Sequence, residues 1–336
     1  MIAIHNGKSD FHQRWMDYCI KKNIPYKIVN CYSNNLINEL QGCKALMWHI
    51  HQSKPQDIII AKQIIFALEH TGFKVFPDFK TVWHFDDKVA QKYLFESIGA
   101  PLVTSYVFFD KKEALQWSEQ TTFPKVFKLR GGAGSQNVSL VNTKSDCVKL
   151  INRAFGKGFP KYYAWGSLKE RIYKFRKRKI PFFDVLKGVV RLFYPPQYSR
   201  LSGNEFGYAY FQEFIPNNDS DTRIIVIDGK AFGLKRYVRD GDFRASGSGN
   251  FAWDKSLFDE RCVKIAFDFT KKLKLQVGAF DFVYDANSNP LIVEVSFGFV
   301  SKVYDPCPGY WDENLVWHEG ITIKEEWMVD LMLKNE

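Results

Sequence analysis

The first 85 residues alternate between short apolar runs and longer stretches in which apolar residues recur every three or four positions. The runs predict strands and the stretches predict helices. Strands that alternate with helices favour a parallel sheet covered on both faces. The predicted strands are Ile2–His5, Pro25–Val29, Lys44–His49 and Phe73–Phe76, and the predicted helices are Phe11–Lys22 and Pro55–Thr71.

The middle of the chain contains a loop of small residues between two predicted strands, Lys125–Leu129 and Asn137–Val141. Glycine lets a backbone approach a ligand closely, and successive N–H groups in such a loop can surround a phosphate. Lys128 precedes the loop, where its ammonium could meet the same phosphate. An ordinary flexible hairpin remains the alternative. The small residues are Gly131, Gly132, Gly134 and Ser135.

The last third of the chain predicts two hairpins of apolar strands. One turns at Asp228–Gly229, a strong two-residue turn signal, and the other joins Val277–Tyr284 to Pro290–Val295. Asp281 and Glu294 each stand alone within an apolar strand of the second hairpin. Isolated buried carboxylates are costly unless they are paired or bind a metal, so we expect them to share Mg²⁺ beside phosphates. Two solvent-facing residues on a half-exposed sheet are the alternative.

Four cations interrupt the apolar pattern of the first hairpin and its continuation: Arg223, Lys235, Arg236 and Arg244. Cations on such strands suit phosphate groups or the carboxylate of a substrate.

The charge of the chain is concentrated in one segment, a predicted insertion over residues 156–205. Twelve Lys and Arg lie within residues 157–200 against Glu170 and Asp184, a net charge of +10 that equals that of the whole chain. Aromatic residues are interleaved with the cations. A solvated basic face on an extra helical hairpin, an anionic acceptor site and an interfacial membrane contact are the alternatives. Nucleic acid is disfavoured because no accompanying motif is present.

Composition narrows the classes of protein and the cellular compartments to be considered. The six cysteines form no C-x-x-C pair, which argues against a zinc site or a disulfide framework and favours a reducing cytoplasm. The N-terminus lacks an apolar signal core, and no apolar run approaches the length of a spanning helix. We therefore expect a cytoplasmic protein, with peripheral contact at the inner face of the membrane as an option.

The order of these motifs resembles the ATP-grasp enzymes, the group of glutathione synthetase, D-alanine–D-alanine ligase and the ribosomal-protein glutamate ligase. The matching segments are D-D-K at 86–88, F-K-L-R-G-G-A-G-S at 127–135, F-Q-E-F-I-P at 211–216, D-T-R at 221–223 and the carboxylates of the last hairpin. The resemblance implies an α/β fold with α+β lobes: a pre-ATP-grasp domain over 1–85 and two lobes that clamp ATP. These lobes would be 86–210, which holds the insertion, and 211–336.

The resemblance also implies residue roles. ATP would be bound by Lys88, Lys128, Gly131, Gly132, Gly134, Ser135, Gln212, Glu213, Phe214, Ile215 and Asp221. Mg²⁺ (or Mn²⁺) would be held by Asp281, Glu294 and Ser296, and catalytic cations would be Arg223, Lys235, Arg236 and Arg244. Ser296 stands where the family usually has asparagine, so a second metal would be held more weakly or through water.

The implied activity is ATP-dependent ligation of a carboxylate to an amine through an acylphosphate. The basic insertion suggests an anionic acceptor, such as a uronic acid of a surface polysaccharide or its lipid-linked precursor. Two other functions are compatible with the same fold, a small-molecule kinase and a non-catalytic ATP-binding protein. Small-molecule substrates and a homodimer are the other expected partners.

Overall fold

The computed structural model describes residues 1–131, 137–178, 180–239, 241–321 and 323–334. The α-helices are α1 Asp10–Lys21, α2 Leu36–Glu39, α3 Lys62–His70, α4 Phe79–Val82, α5 Lys88–Ser97, α6 Lys111–Gln120, α7 Lys144–Ala154, α8 Ala164–Arg176, α9 Phe182–Phe193, α10 Gln197–Ser202, α11 Glu260–Leu273 and α12 Lys324–Leu333. A π-helical turn, Asp57–Ala61, leads into α3, and 3₁₀ turns span Lys255–Leu257 and Ser301–Tyr304.

The strands are β1 Ile2–His5, β2 Tyr26–Val29, β3 Ala45–Met47, β4 Lys74–Phe76, β5 Ser105–Phe108, β6 Lys125–Lys128, β7 Val138–Val141, β8 Phe159–Pro160, β9 Asn204–Glu205, β10 Ala209–Glu213, β11 Ser220–Ile227, β12 Lys230–Tyr237, β13 Phe251–Ala252, β14 Val277–Tyr284, β15 Pro290–Ser296, β16 Gly309–Asp312 and β17 Trp317–Glu319.

The chain forms two compact units. The first comprises Met1–Phe85, Leu94–Leu102 and Ile215–Glu336, and the second comprises Asp86–Tyr93 and Val103–Phe214. Residues from both ends of the chain thus share the first unit. The finer division into domains 1–85, 86–210 and 211–336 stays a prediction.

The N-terminal part of the first unit is a four-stranded sheet in the order β2-β1-β3-β4, and every neighbouring pair is parallel. The apolar runs of the sequence therefore form the expected parallel sheet. Trp15 and Trp48 are fully buried in its core.

The C-terminal part of the first unit is a larger sheet with the path β15-β14-β11-β12-β16-β17. The turn between β11 and β12 has positive φ at Asp228 (49°) and Gly229 (70°), as a two-residue hairpin turn with matching twist requires. One face packs against α11, while Phe232 and Leu234 on the other face belong to the same core as the N-terminal sheet. This arrangement keeps the strands buried on both sides.

The second unit is built on a four-stranded sheet in the order β5-β10-β6-β7. Helices α6 and α7 pack together and contact its strands, and Phe127 and Phe211 lie in the core. Strands β6 and β7 form the predicted antiparallel hairpin, with Lys128 opposite Val138.

The basic insertion forms a helical hairpin. The short strands β8 and β9 pair antiparallel at its base, and α8 packs along α9. Among the described residues, no helix has both the length and the apolar composition to cross a bilayer.

Candidate active site

Three neighbouring strands place four charged side chains on one face of the C-terminal sheet. The register sets Asp221 opposite Arg236 on β11 and β12, and Arg223 opposite Asp281 on β11 and β14. Residues two apart on a strand share a face, so all four side chains lie together. We refer to Asp221, Arg223, Arg236 and Asp281 as the charged cluster.

The charged cluster is held by short ion pairs. Arg223 binds Asp281 with both ends of the guanidinium fork, Nε to Oδ1 at 2.5 Å and a terminal nitrogen to Oδ2 at 2.7 Å. Arg236 binds Asp221 in the same way, at 2.5 and 2.6 Å, and reaches Oδ2 of Asp281 at 2.8 Å. Two cations and two anions therefore balance in a region where each side chain is at most 17% exposed.

The two carboxylates of the charged cluster have pKa values shifted in opposite directions. Burial by itself would raise the pKa of Asp281, but the Arg223 and Arg236 guanidiniums outweigh it and lower the pKa to about 2. At Asp221 burial prevails over the neighbouring Arg236, and the negative charge of Asp281 adds to it, so the pKa is raised. Asp281 is thus the firmly ionised member.

A bulge in the last hairpin brings Glu294 to the same face. Asp281 pairs with Glu294, yet the next residue, Phe282, pairs with Ile292, so Val293 is an extra residue on β15. Ile292 is fully buried in the core against α11. Without the bulge Glu294 would point into that core, because residues two apart share a face. The bulge turns Glu294 toward Asp281 instead.

These carboxylates fit the chemistry of a magnesium ion bound with nucleotide phosphates. Among the described residues, no group of three or more His, Cys, Asp or Glu side chains could hold a metal alone. Mg²⁺ at phosphates commonly uses only one or two protein carboxylates, which Asp281 and Glu294 can supply. The hydroxyl of Ser296 is engaged locally: it accepts from the Gly298 N–H at 3.0 Å and lies 3.1 Å from the Gly298 carbonyl. A metal role for Ser296 stays a prediction.

Two of the predicted catalytic cations lie outside the charged cluster. Lys235 pairs with Thr222, so strand alternation puts it on the opposite face from Arg236. Arg244 follows β12 in a loop and binds Asp242 at 2.8 Å. The structure therefore brings Arg223 and Arg236 together with the carboxylates but does not bring Lys235 onto that face.

The second unit carries the predicted nucleotide lysines. Lys88 and Lys128 are 5% and 6% exposed, and the Lys88 N–H donates to the Arg130 carbonyl at 2.9 Å, which ties the start of α5 to the end of β6. The Lys128 ammonium donates to Oε1 of Gln212 at 2.5 Å. Lys88 and Gln212 are thus both bonded to the segment from Lys128 to Arg130, Lys88 through its backbone and Gln212 through its side chain.

Glu213 has partners that the sequence did not suggest. Its carboxylate accepts from the Lys125 ammonium and from the Tyr106 hydroxyl at 2.9 Å. Lys125 is itself only 2% exposed. The pair explains why a buried lysine is tolerated at this position. Phe214 follows in the second unit, and Ile215 and Asp221 belong to the first unit.

Gly131 is the described end of the predicted phosphate loop. A Cβ at this position would lie 3.0 Å from an oxygen of Asp86, 3.2 Å from Lys161 Cε and 3.3 Å from an oxygen of Glu205. A side chain here would therefore displace the tips of these three side chains by a few tenths of an ångström. The other predicted loop residues, Gly132, Gly134 and Ser135, lie outside the described residues.

Tyr304 was missed by sequence reasoning. It is fully buried beside the charged cluster, and burial raises the pKa of its phenol to about 12 although Arg223 and Arg236 oppose this. A neutral hydroxyl is therefore retained next to two guanidiniums. No sequence signal marks it, because Tyr304 lies beyond the motif-bearing strands.

Comparison with known proteins identifies the class. The chain has the ATP-grasp fold, shown by its likeness to solved structures. The biotin carboxylase domain of 2-oxoglutarate carboxylase from Hydrogenobacter thermophilus, solved with MgADP, superposes with a TM-score of 0.62 at 10% identity over 99% of this chain and 70% of that one. D-cycloserine synthetase DcsG gives a TM-score of 0.58 at 13% identity, over 99% and 98% of the two chains.

A third structure, the ATP-grasp ligase PsnB with its precursor peptide PsnA2 and AMPPNP, gives a TM-score of 0.54 at 11% identity, over 99% and 97%. Residues 205–301, which hold the charged cluster and Glu294, match the family of RimK-like ATP-grasp domains. A search of curated protein sequences gave no significant match. The fold and the RimK-like domain support an ATP-dependent ligase that uses ATP and Mg²⁺.

Proposed function

We propose that this protein is an ATP- and Mg²⁺-dependent ligase that joins a carboxylate to an amine. The observation that carries the proposal is the bulge at Val293, which places Glu294 opposite Asp281 and on the same face as the charged cluster, within the stretch that matches the RimK-like domain. Bulges that re-aim one side chain are frequent next to active sites. A purely structural sheet would gain nothing from a second carboxylate at this position.

The reaction would proceed in two displacements. An oxygen of the substrate carboxylate attacks the γ-phosphorus of ATP, the bond from that phosphorus to the β,γ-bridging oxygen breaks, and ADP leaves. The amine nitrogen then attacks the carbonyl carbon of the acylphosphate, the bond from carbon to the phosphate oxygen breaks, and phosphate leaves while the nitrogen loses a proton. The enzyme's contribution to such chemistry is chiefly positioning and charge neutralisation.

The proposed division of labour follows the two units. In the second unit, Lys88 and Lys128 would bind phosphate oxygens, and Gln212 would hold the Lys128 ammonium in place. In the first unit, Arg223 and Arg236 would stabilise negative charge on the transferring phosphoryl group and on the acylphosphate. Arginine suits this task because it stays charged and donates two parallel hydrogen bonds.

Mg²⁺ would be held by Asp281 and Glu294 and would neutralise charge on the phosphates. The nucleotide is further expected to contact Glu213, Phe214, Ile215, Asp221 and the loop of Gly131, Gly132, Gly134 and Ser135. Lys235 and Arg244 stay predicted catalytic cations and Ser296 stays a predicted metal ligand, and substitution of each residue would test its role.

The decisive experiment measures ADP release against a panel of carboxylates paired with amines. Once a pair is found, Glu294→Gln keeps the shape of the side chain and removes its charge. We expect kcat to fall by about 100-fold or more, because charge stabilisation at the phosphates is lost. The exposed Glu96→Gln in α5 serves as the matched control and should leave kcat unchanged. Equal rates for Glu294→Gln and the unaltered enzyme would refute the proposal.

A finer proposal concerns the acceptor, for which we suggest an anionic molecule such as a uronic acid of a surface polysaccharide or its precursor. The support is the basic segment, in which the exposed residues Arg176, Lys177 and Arg178 follow one another at the end of α8. Attraction between exposed charges is screened by salt. Acceptor KM should therefore rise with ionic strength, and a triple change of these residues to Gln should remove that dependence. If neither salt nor the triple change altered the KM for the acceptor, this class of acceptor would be excluded.

One observation favours a second candidate, a non-catalytic ATP-binding protein. Both oxygens of Asp281 are already held by Arg223 and Arg236, so Mg²⁺ would have to compete with guanidiniums for them. Equilibrium dialysis of ATP with and without Mg²⁺ separates the candidates. ATP binding that is independent of Mg²⁺, together with no ADP release on any pair, would support the second. Labelled γ-phosphate in a stable product would instead reveal a kinase.

A further inference from the structure

Helix α9 has an apolar face that is exposed to solvent. At 100° per residue its large apolar side chains fall within an arc of about 120°. These are Phe182, Phe183, Leu186, Val189, Val190 and Phe193. Their exposed fractions run from 42% for Leu186 and Val189 to 71% for Phe183 and 75% for Phe193. Six such residues on one face form a patch, which single exposed apolar residues do not.

The partner helix covers a different side of α9. Gly188 is buried, and a Cβ there would lie 2.9 Å from both Leu168 Cδ1 and Arg171 Cδ on α8. Arg171 also donates to the Asp184 carbonyl at 3.0 Å, which fixes the two helices together. By the helical arrangement Gly188 lies well away from the apolar arc. The contact with α8 therefore leaves that arc uncovered.

Cations border the apolar arc. Lys187 and Arg191 are exposed and lie beyond one edge of the arc on α9, while exposed Arg176, Lys177 and Arg178 end α8. The Phe175 and Phe182 rings, 5.6 Å apart, join this basic end to the start of the apolar face. An apolar stripe bordered by Lys and Arg is the pattern of helices that lie in the interface of anionic bilayers.

We propose that the apolar face of α9 docks on an anionic lipid surface, with the surrounding cations at the phosphate level. Charge complementarity selects this occupant. A second copy of the chain would bring together two segments that each carry +10, whereas anionic headgroups neutralise that charge. The proposal is independent of the ligase activity, since it concerns attachment rather than catalysis.

The test is flotation of the full-length protein with vesicles of phosphatidylcholine alone or mixed with phosphatidylglycerol. We expect binding to the mixed vesicles only. The double variant Phe183→Ser with Phe193→Ser should lose at least tenfold in partition coefficient. The triple variant Arg176→Gln, Lys177→Gln and Arg178→Gln should lose about fivefold per charge, because each basic residue near such a surface contributes roughly that factor.

Matched controls lie elsewhere in the same unit. Phe109→Ser removes a side chain that is 61% exposed, and Lys111→Gln with Lys112→Gln removes two exposed cations. Neither control should alter flotation. Circular dichroism melts of every variant check that folding is retained, as expected for exposed positions.

Three outcomes would overturn the proposal: no binding to mixed vesicles, binding that the variants leave unchanged, or binding that the controls reduce equally. Light scattering adds a separate readout. A dimer that dissociates in the Phe183→Ser, Phe193→Ser variant would show that a second copy covers this face, and would also refute docking on lipid.

Discussion

The charged cluster and the α8–α9 hairpin contain the same kinds of cation in opposite settings. In the cluster, Arg223 and Arg236 are buried and each meets a carboxylate through two hydrogen bonds. In the hairpin, twelve cations of the segment face two acids, and most of them are exposed. The charged cluster neutralises its charge through internal ion pairs. The charge of the hairpin is available to solvent or to a binding partner.

The difference separates structural from functional consequences. A buried ion pair stabilises little overall, but removal of one partner leaves a desolvated charge and is strongly destabilising. Exposed cations contribute almost nothing to the free energy of folding. They attract negatively charged binding partners over longer distances. Substitutions in the cluster should therefore change stability and catalysis together, whereas substitutions in the hairpin should change binding alone.

The largest effect is expected for Asp281→Ala. It would leave both Arg223 and Arg236 without their shared acceptor, which costs about 3–5 kcal/mol of unfolding free energy, and it would abolish turnover. Urea unfolding monitored by tryptophan fluorescence measures the loss. Adding Arg223→Met to the variant should recover part of the stability but none of the activity. A loss below about 1 kcal/mol for Asp281→Ala would contradict the described pairing.

Lys128→Met should have the next largest effect, and it tests the second unit. Loss of a charged hydrogen-bond donor at a phosphate weakens binding by about 1.5–3 kcal/mol, so KM for ATP should rise about tenfold to a hundredfold. The exposed Lys111→Met is the control and should leave KM unchanged. An unaltered KM for Lys128→Met would remove this residue from the nucleotide site.

The dependence of stability on pH compares the buried histidines with the exposed cations of the hairpin. Burial is the main cause that lowers the pKa of His5 to about 3 and of His12 to about 4. The unfolded chain binds these protons below about pH 6.5 while the folded chain does not, so stability should fall as pH drops from 6.5 toward 4. The expected slope is about 1.4 kcal/mol per pH unit for each histidine.

Urea midpoints across this pH range measure the slope. His12→Gln should reduce it, whereas the exposed His70→Gln should not. Neutralising Arg176, Lys177 and Arg178 in the exposed hairpin should leave the slope unchanged. A slope that His12→Gln leaves unchanged would show that His12 accepts a proton in the folded protein.

The smallest effect on folding is expected for that triple hairpin variant. Surface substitutions usually change stability by no more than about 0.5 kcal/mol, and relief of repulsion among neighbouring cations makes the sign favourable. Differential scanning calorimetry at low and high salt measures it. A destabilisation above about 1 kcal/mol would mean that the hairpin cations are part of a folded ion-pair network.

The sequence predicted the strands of the site well and its cross-strand partners poorly. Apolar clusters revealed β11, β12, β14 and β15, and isolated carboxylates within them pointed to Asp281 and Glu294. The register, which decides that Arg236 meets both Asp221 and Asp281, depends on tertiary packing and has no local signal. Alternation does indicate that adjacent Lys235 and Arg236 face opposite sides, so the two could have been distinguished.

The bulge on β15 and the exposed face of α9 likewise could not be predicted from the sequence. The residues of β15 have the composition of an ordinary strand, so nothing in them marks Val293 as the extra residue. The apolar arc of α9 is visible in the sequence, yet a buried amphipathic helix has the same pattern. Only the placement of α8 on the Gly188 side shows which face remains uncovered.

The extra residue on β15 decides which face of the sheet Glu294 joins. If Val293 instead took a regular place in the ladder, Glu294 would share a face with Ile292 and turn into the apolar layer against α11. Deleting Val293 would restore regular pairing and keep Glu294 opposite Asp281, because Ile292 and Glu294 would then be neighbours on opposite faces. The bulge can therefore be lost only together with its extra residue, because a regular strand that kept Val293 would exchange the inside and outside of the positions that follow it.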